Sequence, residues 1–236
     1  MLSSSEVIRV FEDHGADILA SENDLKNKFR NIKGILLDWD GVFNDGLKGD
    51  GASNTFSEVD AMGLNLLRFG LWDRLKQMPG AFIISGLYNN SAFQFAQRES
   101  FNAVYLDVKD KSKALQHINN TYRIKPSELI CIFDDVLDLA MAKDCGLRFL
   151  VSRKSNPLFI EYVKSKKWCD YITANSTGAN PIREVCEFLL GVVDSYERIL
   201  DNRISFSATY SSYWNERKNT TAKRFSSKDG LMVETQ

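Results

Sequence analysis

The chain of 236 residues is poor in the residues that build covalent or metal frameworks, with four cysteines, four prolines and two histidines. No cysteines form a C-x-x-C pair, so we expect reduced core thiols and no zinc knuckle. No apolar run approaches the ~18 residues of a membrane span, and the first residues lack the pattern of a secretory signal. We therefore expect a cytoplasmic protein with no membrane partner.

An excess of charge of one sign is also missing. Thirty basic and 31 acidic residues leave a net charge of -1, so no overall basic field recruits nucleic acid, and no nucleic-acid partner is expected. The apolar fraction of 44% and the charged fraction of 26% are ordinary for a globular protein. The length suffices for one domain with a substantial core.

Short apolar runs alternate with helical patterns along most of the chain. Apolar strands that do not alternate with polar residues indicate a parallel sheet covered on both faces. The predicted fold is therefore α/β, a three-layer α/β/α, Rossmann-like, doubly wound parallel sheet. Residues 43–57 are rich in glycine and favour turns and a short β-hairpin after the first strand. The predicted strands are 32–37, 81–86, 103–106, 129–133, 147–151 and 171–172.

Segments of different character flank this alternating region. Residues 1–31 have a helical pattern and are predicted to form an N-terminal extension packed on the domain. Residues 32–202 form the predicted domain. Residues 203–236 are rich in Ser, Thr, Asn, Lys and Arg, with scattered aromatic residues. They are predicted to form a polar C-terminal tail that is either mobile or ordered only against a partner.

Polar side chains follow four of the apolar runs, at or just after the point where each strand ends. The carboxyl ends of parallel strands meet at one edge of a sheet, which is where ligands bind in such folds. Independent placement of this set of residues at four strand ends would be improbable without a shared site. The residues are Asp38 and Asp40, then Ser85 with Gly86, then Lys111, and finally Asp134 with Asp135.

The residue types at this edge favour a divalent cation and a phosphate group. Carboxylates crowded together stay ionised only if a cation lies among them, and oxygen ligands alone suit Mg²⁺. The candidate ligands are Asp38, Asp40 and Asp134. Lys111 is in the first turn of a predicted helix, where a bound anion would face both the lysine and the helix amides. Ser85 and Gly86 offer a hydroxyl and an amide to phosphate oxygens, and Lys109 and Lys113 remain alternatives to Lys111.

Together these groups indicate phosphoryl transfer through an aspartyl-phosphate, on a small phosphorylated substrate. Asp38 is the predicted nucleophile. Asp40 is predicted to protonate the leaving oxygen and then to deprotonate the water that cleaves the acyl phosphate.

The sequence resembles the haloacid dehalogenase superfamily of phosphatases over about residues 32–195. Asp38-Trp39-Asp40-Gly41-Val42 resembles its first motif, Asp-x-Asp-Gly-Val. Ser85 resembles the second motif's hydroxyl residue, and Lys111 the third motif's lysine. The fourth motif, Gly-Asp-Asp-x-x-Asp, is matched by Asp134, Asp135 and Asp138.

Within the superfamily, the chain is most similar to the capless sugar-acid phosphatases, of the octulosonate 8-phosphate and nonulosonate 9-phosphate type. The glycine-rich segment and Asp60 support this likeness. The resemblance implies that there is no large cap domain, that Mg²⁺ is bound partly by the backbone carbonyl of Asp40, and that a homotetramer forms in which neighbours complete each site. It also implies a role in sugar acid biosynthesis, with Asp60, Asp135 and Asp138 as supporting residues.

Departures from the family pattern favour an alternative. Leu87 stands where an arginine is expected, and Phe133 stands where the fourth motif has glycine. Both favour a regulatory or scaffold protein that kept the fold with weak or no phosphatase activity. Receiver domains use similar residues in a different order along the chain. A glycosyltransferase Asp-x-Asp would leave Ser85, Lys111 and Asp134 unexplained.

Overall fold

A nine-stranded sheet runs through the protein in a computed structural model that describes residues 2–49 and 55–235. The spatial order is β1-β7-β6-β5-β2-β3-β4-β8-β9. Neighbours from β7 to β8 are parallel, and β1 and β9 are antiparallel edge strands. In chain order the strands are β1 Asp17–Ile18, β2 Gly34–Leu37, β3 Gly80–Ile84, β4 Ala103–Leu106, β5 Leu129–Phe133, β6 Leu147–Leu150, β7 Tyr171–Ile172, β8 Lys223–Lys228 and β9 Leu231–Thr235.

Helices cover both faces of this sheet. Successive side chains of a strand point to opposite faces, so Ile35 and Leu37 pack in one hydrophobic cluster while Leu36 packs in the other. The predicted α/β/α fold is thereby confirmed. In the described ranges, no helix is long and apolar enough to cross a membrane. The helices are α1 Ser4–His14, α2 Glu22–Asn31, α3 Glu58–Leu75, α4 Asn90–Arg98, α5 Lys111–Tyr122, α6 Leu139–Ala142, α7 Pro157–Ser165, α8 Pro181–Val192, α9 Tyr196–Ile204 and α10 Ala208–Arg217.

Strand β2 is central and positions the predicted site. All four of its residues are buried, because it has a parallel partner on each side. Leu37, its last residue, is level with Ile83 of β3 and with Ile132 of β5. The segments that follow these three strands therefore begin at the same edge of the sheet.

The predicted hairpin falls between β2 and α3. Residues 43–49 and 55–57 form no strand, and the only ladder contact there is a single bridge between Asp40 and Asn44. The tip of the predicted hairpin, residues 50–54, lies outside the described residues. In the described part of the chain, the connections after β2 and β3 hold no domain of their own, as predicted for a protein without a large cap.

The prediction of a mobile or partner-dependent tail is wrong for residues 203–235. Helix α10 buries Tyr210 and Tyr213 completely, and the Tyr210 hydroxyl donates to Asn65 Oδ1 on α3 at 3.0 Å. Strand β8 extends the parallel sheet beside β4, and its Phe225 stacks on Tyr105 with ring centroids 5.2 Å apart. The prediction failed because it relied on the polar average of the segment. A few aromatic residues at helical spacing are enough to pack the segment on the core.

Candidate active site

A cavity of about 450 Å³ opens at the carboxyl edge of the sheet. A larger cavity of about 570 Å³ lies between α1 and the start of α8 and contains none of the predicted residues. Chemistry rather than volume therefore identifies the candidate site. The predicted residues that line the smaller cavity are Asp38, Asp40, Gly86, Lys111, Asp134, Asp135 and Asp138.

Lys111 is the buried cation of the site. Asp110 caps α5 by accepting a hydrogen bond from the amide of Ser112, so Lys111 is the first residue of the helix. Its ammonium group donates to Asp38 Oδ1 and, at 2.5 Å, to Asp138 Oδ1. Lys109 instead donates to the carbonyl of Gly86 at 2.6 Å. Of the three candidate lysines, Lys111 is the one that the structure joins to the carboxylates.

Three carboxylates form a cluster at this edge of the sheet. Oxygen atoms of Asp38, Asp134 and Asp138 all lie within 4.8 Å of one another, and all three residues are buried. Asp138 also accepts from the amides of Asp134 and Asp135, at 3.2 Å each, which fixes the turn after β5. Asp138 was predicted only as a supporting residue, yet it is one of the three clustered carboxylates.

Asp40 was predicted as a ligand together with Asp38 and Asp134, but its side chain lies outside the carboxylate cluster. Its carboxylate accepts from Lys48 and from Asn89, each at 2.8 Å. Asn89 also donates to the Ser85 hydroxyl oxygen at 2.8 Å, so Ser85 and Asp40 share one amide partner. The resemblance assigns the backbone carbonyl of Asp40, and not its side chain, to the cation.

Burial and mutual repulsion set the electrostatics of the cluster. Burial and the neighbouring Asp138 raise the pKa of Asp38 to about 7, against the opposing effect of Lys111. Burial, Asp138 and Asp38 raise the pKa of Asp134 to about 8, against the opposing effect of Arg153. Burial alone would lower the pKa of Lys111, but Asp38 and Asp138 raise it above its ordinary value. A cation placed among these carboxylates would favour their ionised forms.

Sequence reasoning missed three residues that contact the predicted ones. Lys48 and Asn89 bind the side chain of Asp40, and Arg153 forms an ion pair with Asp134 at 2.7 Å. Arg153 follows the end of β6, so extending the strand-end rule to that strand would have found it. Lys48 and Asn89 carry no such signal, because their contacts depend on how two loops approach each other.

Gly41 lies directly against the cluster. Its φ of +96° belongs to the left-handed region, and a Cβ atom would lie 2.0 Å from Asp134 Oδ2 and 2.2 Å from the terminal nitrogen of Arg153. Gly41→Ala is therefore expected to lower the free energy of unfolding by several kcal/mol, ~1–3 from the backbone alone, and to displace the Asp134–Arg153 pair. Urea denaturation and Mg²⁺ titration by calorimetry measure the two effects.

The matched control for this prediction is Gly49→Ala. Gly49 also has a positive φ, +131°, but no atom of a non-adjacent described residue lies within 4 Å of the position that a Cβ atom would take. It incurs the backbone cost without the clash. Equal losses of stability and of Mg²⁺ binding in the two variants would contradict a specific role for the space at Gly41.

Asp60 lies outside the site, although the resemblance named it as a supporting residue. It does not line the cavity, and its carboxylate accepts from the amide of Arg183 at 2.8 Å, which joins the start of α3 to the start of α8. Burial raises its pKa to about 6. Its observed role is to connect two helices.

This raised pKa predicts a pH dependence of stability. In the folded state Asp60 keeps its proton up to about pH 6, whereas the ordinary pKa of an aspartate carboxyl, expected in the unfolded chain, is 3.8. Protonated Asp60 therefore contributes its full stabilisation to the fold below pH ~4. As the pH rises to ~6 this contribution is lost, and the free energy of unfolding falls by at most about 3 kcal/mol. Asp60→Asn should flatten the urea-derived stability curve between these pH values. Asp201→Asn, the same change on an exposed residue, should leave the curve as it is, and equal slopes for Asp60→Asn and the unmodified chain would contradict the assignment.

Known proteins resemble this chain in sequence and in fold. No family model matches it. The 3-deoxy-D-manno-octulosonate 8-phosphate phosphatase of Escherichia coli (strain B / BL21-DE3) is 27% identical over 167 residues, which cover 71% of this chain and 84% of that relative. The structure of a putative haloacid dehalogenase superfamily (subfamily III A) hydrolase from Legionella pneumophila superposes with a TM-score of 0.63 at 26% identity, covering 78% of this chain and 95% of that one.

The chain has the fold of the haloacid dehalogenase superfamily. A 3-deoxy-D-manno-octulosonate 8-phosphate phosphatase from Moraxella catarrhalis, solved with a magnesium ion, a phosphate ion and a KDO molecule, has the same fold, with a TM-score of 0.63 at 24% identity over 78% of this chain and 99% of that one. The resemblance predicted from the four motifs is confirmed by these comparisons. Residues that resemble the first, third and fourth motifs line the cavity. Ser85, which resembles the second motif, is linked to Asp40 because the Asn89 side-chain amide donates to both residues.

Proposed function

We propose that the chain is a Mg²⁺-dependent phosphomonoester hydrolase that acts through an aspartyl-phosphate on Asp38. The observation that carries this proposal is the buried Lys111, which is hydrogen-bonded to both Asp38 and Asp138 beside Asp134. A buried lysine held by two carboxylates fixes one oxygen of the nucleophile and supplies charge where phosphate oxygens would lie. The proposed substrates are phosphorylated sugars or sugar acids, of the octulosonate 8-phosphate or nonulosonate 9-phosphate type.

The donor set at the cluster fits Mg²⁺. The three clustered carboxylates offer only oxygen atoms. Burial and mutual repulsion raise the pKa values of Asp38 and Asp134, and a divalent cation among the carboxylates would offset both effects. The proposed ligands are Asp38, Asp134 and the backbone carbonyl of Asp40. When bound, the ion would neutralise the cluster and polarise a phosphoryl oxygen.

The proposed nucleophile is the second carboxylate oxygen of Asp38. Lys111 holds Oδ1, so Oδ2 is the oxygen that attacks phosphorus in line with the ester bond. The phosphorus–ester oxygen bond then breaks, and the phosphoryl group is left on Asp38. Lys111 and the Ser85 hydroxyl, whose oxygen already accepts from Asn89, would donate to the phosphoryl oxygens.

Asp40 is the proposed acid and base. Because its side chain lies outside the carboxylate cluster, it faces the leaving group and does not compete for phosphorus. It gives a proton to the leaving alkoxide and then takes one from the water that cleaves the acyl phosphate. Lys48 and Asn89 hold it in place for both steps.

The alternative of an inactive regulatory or scaffold protein rested on Phe133 and Leu87. Phe133 is fully buried in the core on one face of the sheet and does not line the cavity. Leu87 lines the cavity and is 45% exposed, so it bears on how the leaving group is held and leaves the phosphoryl-binding residues in place. We favour the enzyme for these reasons. A homotetramer remains part of the proposal on the resemblance alone. A cytoplasmic location and the absence of a nucleic-acid partner remain part of it on the composition and charge of the sequence.

A substrate panel tests the proposed function. The purified protein with Mg²⁺ is expected to release phosphate from at least one member of a panel containing octulosonate 8-phosphate, a nonulosonate 9-phosphate and neutral sugar phosphates. EDTA should stop the reaction, and Mg²⁺ in excess should restore it. Absence of hydrolysis across the panel contradicts the phosphatase, whereas turnover undiminished by EDTA contradicts the role of the metal only.

A further inference from the structure

Arg153 is a second cation of the site, and no motif accounts for it. It lies in the connection that follows β6, and its side chain lines the cavity with 30% of its surface exposed. One terminal nitrogen is 2.7 Å from Asp134 Oδ2. Its Nε atom is buried and has no hydrogen-bond partner among the described residues.

The two protein cations divide the three clustered carboxylates between them. Lys111 pairs with Asp38 and Asp138, and Arg153 pairs with Asp134. Within residues 2–49 and 55–235, Arg153 is the cationic side chain in ion-pair distance of Asp134. A divalent cation bound to Asp134 therefore meets the guanidinium at that carboxylate, and the two like charges compete for it.

The two cations are held very differently. Lys111 is 3% exposed, is bound to two carboxylates and begins a regular helix. Among the described residues, Arg153 has one carboxylate partner and leaves a buried donor unsatisfied, and its side chain is ten times more exposed than that of Lys111. Because Asp134 is buried, loss of Arg153 alone would leave that carboxylate unpaired. A divalent cation bound to Asp134 would supply the charge that Arg153 withdraws, and the unsatisfied Nε donor costs free energy while Arg153 stays in place. Arg153 is therefore the cation that can leave its partner at small cost.

The other residues that line the cavity leave room for the guanidinium of Arg153 as a phosphate-binding group. Lys109 is engaged with the carbonyl of Gly86, and Leu87 brings no charge to the wall that it lines. A guanidinium binds phosphate oxygens through two nitrogens in a planar fork. Among the cations that line the cavity, Arg153 combines exposure, an unsatisfied nitrogen and proximity to the cluster.

We propose that Arg153 is an exchangeable counter-ion, which a divalent cation displaces from Asp134 and which then binds the phosphoryl group of the substrate. This inference rests on the proposed function in taking Mg²⁺ and a phosphomonoester as the ligands. It assigns to Arg153 two opposite effects. The side chain weakens the binding of Mg²⁺ and strengthens the binding of phosphate once Mg²⁺ is present.

Calorimetric titration of the full chain with Mg²⁺ tests the first effect. Arg153→Gln is expected to bind Mg²⁺ at least about tenfold more tightly than the unmodified chain. Lys154→Gln removes the same charge from the next, exposed residue and is expected to change the affinity by less than about twofold. Mg²⁺ affinity that is unchanged, weaker or absent in Arg153→Gln overturns the proposal.

Titration with inorganic phosphate at saturating Mg²⁺ tests the second effect. Arg153→Gln is expected to bind phosphate at least about fivefold more weakly, with Lys154→Gln again as control. Unchanged phosphate affinity also overturns the proposal. An equal loss of phosphate affinity in Lys154→Gln would overturn it too, because removal of one positive charge would then account for the effect. If Arg153→Gln fails to fold, Arg153→Lys gives the same two readouts, and we expect smaller changes of the same signs. Both titrations are independent of turnover, so failure here is distinguishable from absence of hydrolysis in the panel.

Discussion

Asp38→Asn is expected to reduce kcat by at least about 10³-fold while the protein stays folded. An amide does not attack phosphorus, so the covalent step is lost rather than slowed by a change of position. The substitution keeps the shape of the side chain and removes one of three clustered buried charges, so the repulsion from Asp138 falls. We therefore expect a melting temperature equal to that of the unmodified chain or higher. Steady-state kinetics on the best substrate and thermal denaturation measure the two effects.

A control and a chemical readout sharpen this prediction. Asp144→Asn makes the same change on an exposed residue outside the cavity and should retain full activity. Acid-quenched enzyme taken during turnover should contain an acyl phosphate that hydroxylamine releases, and Asp38→Asn should contain none. Substantial turnover by Asp38→Asn, or an acyl phosphate on another carboxylate, would show that Asp38 is not the nucleophile.

Lys111→Met is expected to cause the second large loss, in stability as well as in activity. Methionine has a similar length but no charge, so Asp38 and Asp138 would be left as buried carboxylates without their shared cation. Removing one partner of a buried ion pair costs about 3–5 kcal/mol. Activity should fall together with stability, because the nucleophile and the phosphoryl oxygens lose their donor. Urea denaturation and kinetics at saturating Mg²⁺ are the measurements.

Two further variants separate the loss of the ion pair from a simple packing defect. Lys113→Met is the same change on an exposed residue two positions along α5, and it should cost little. Lys111→Met combined with Asp138→Asn should recover part of the lost stability, since it removes one of the unpaired carboxylates. It should not recover activity. No recovery of stability in the double variant would mean that the cost of Lys111→Met comes from packing.

The sequence allowed the fold to be predicted because its strands are short, apolar and regularly separated by helices. It allowed most of the candidate site to be predicted because strand ends in a parallel sheet converge, which brings Asp38, Lys111 and Asp134 together without further information. Contacts between loops were not predictable. The approach of Lys48 and of Asn89 to Asp40 depends on loop conformations that no periodicity encodes.

The C-terminal segment shows a different limit of prediction. Composition averages over residues, and an average dominated by Ser, Lys and Arg predicts a segment without a core. Burial depends on a few positions, here Tyr210, Tyr213 and Phe225, which find apolar partners far away in the sequence. Likewise, Asp17 and Ile18 pair with β7, although two residues are too few to give a strand pattern in the sequence.

The pairing of β8 with β4 has a consequence for how the protein forms during synthesis. Residues 223–226 are in register with residues 103–106, so the ribosome must synthesise about 120 further residues after β4 before this ladder can close. Until then β4 is an unprotected sheet edge, of the kind that pairs with other chains. Contacts so distant in sequence slow folding because a long loop must close first. The nascent protein is therefore expected to depend on residues 223–226 to escape aggregation, even though its proposed chemistry is encoded between residues 38 and 153.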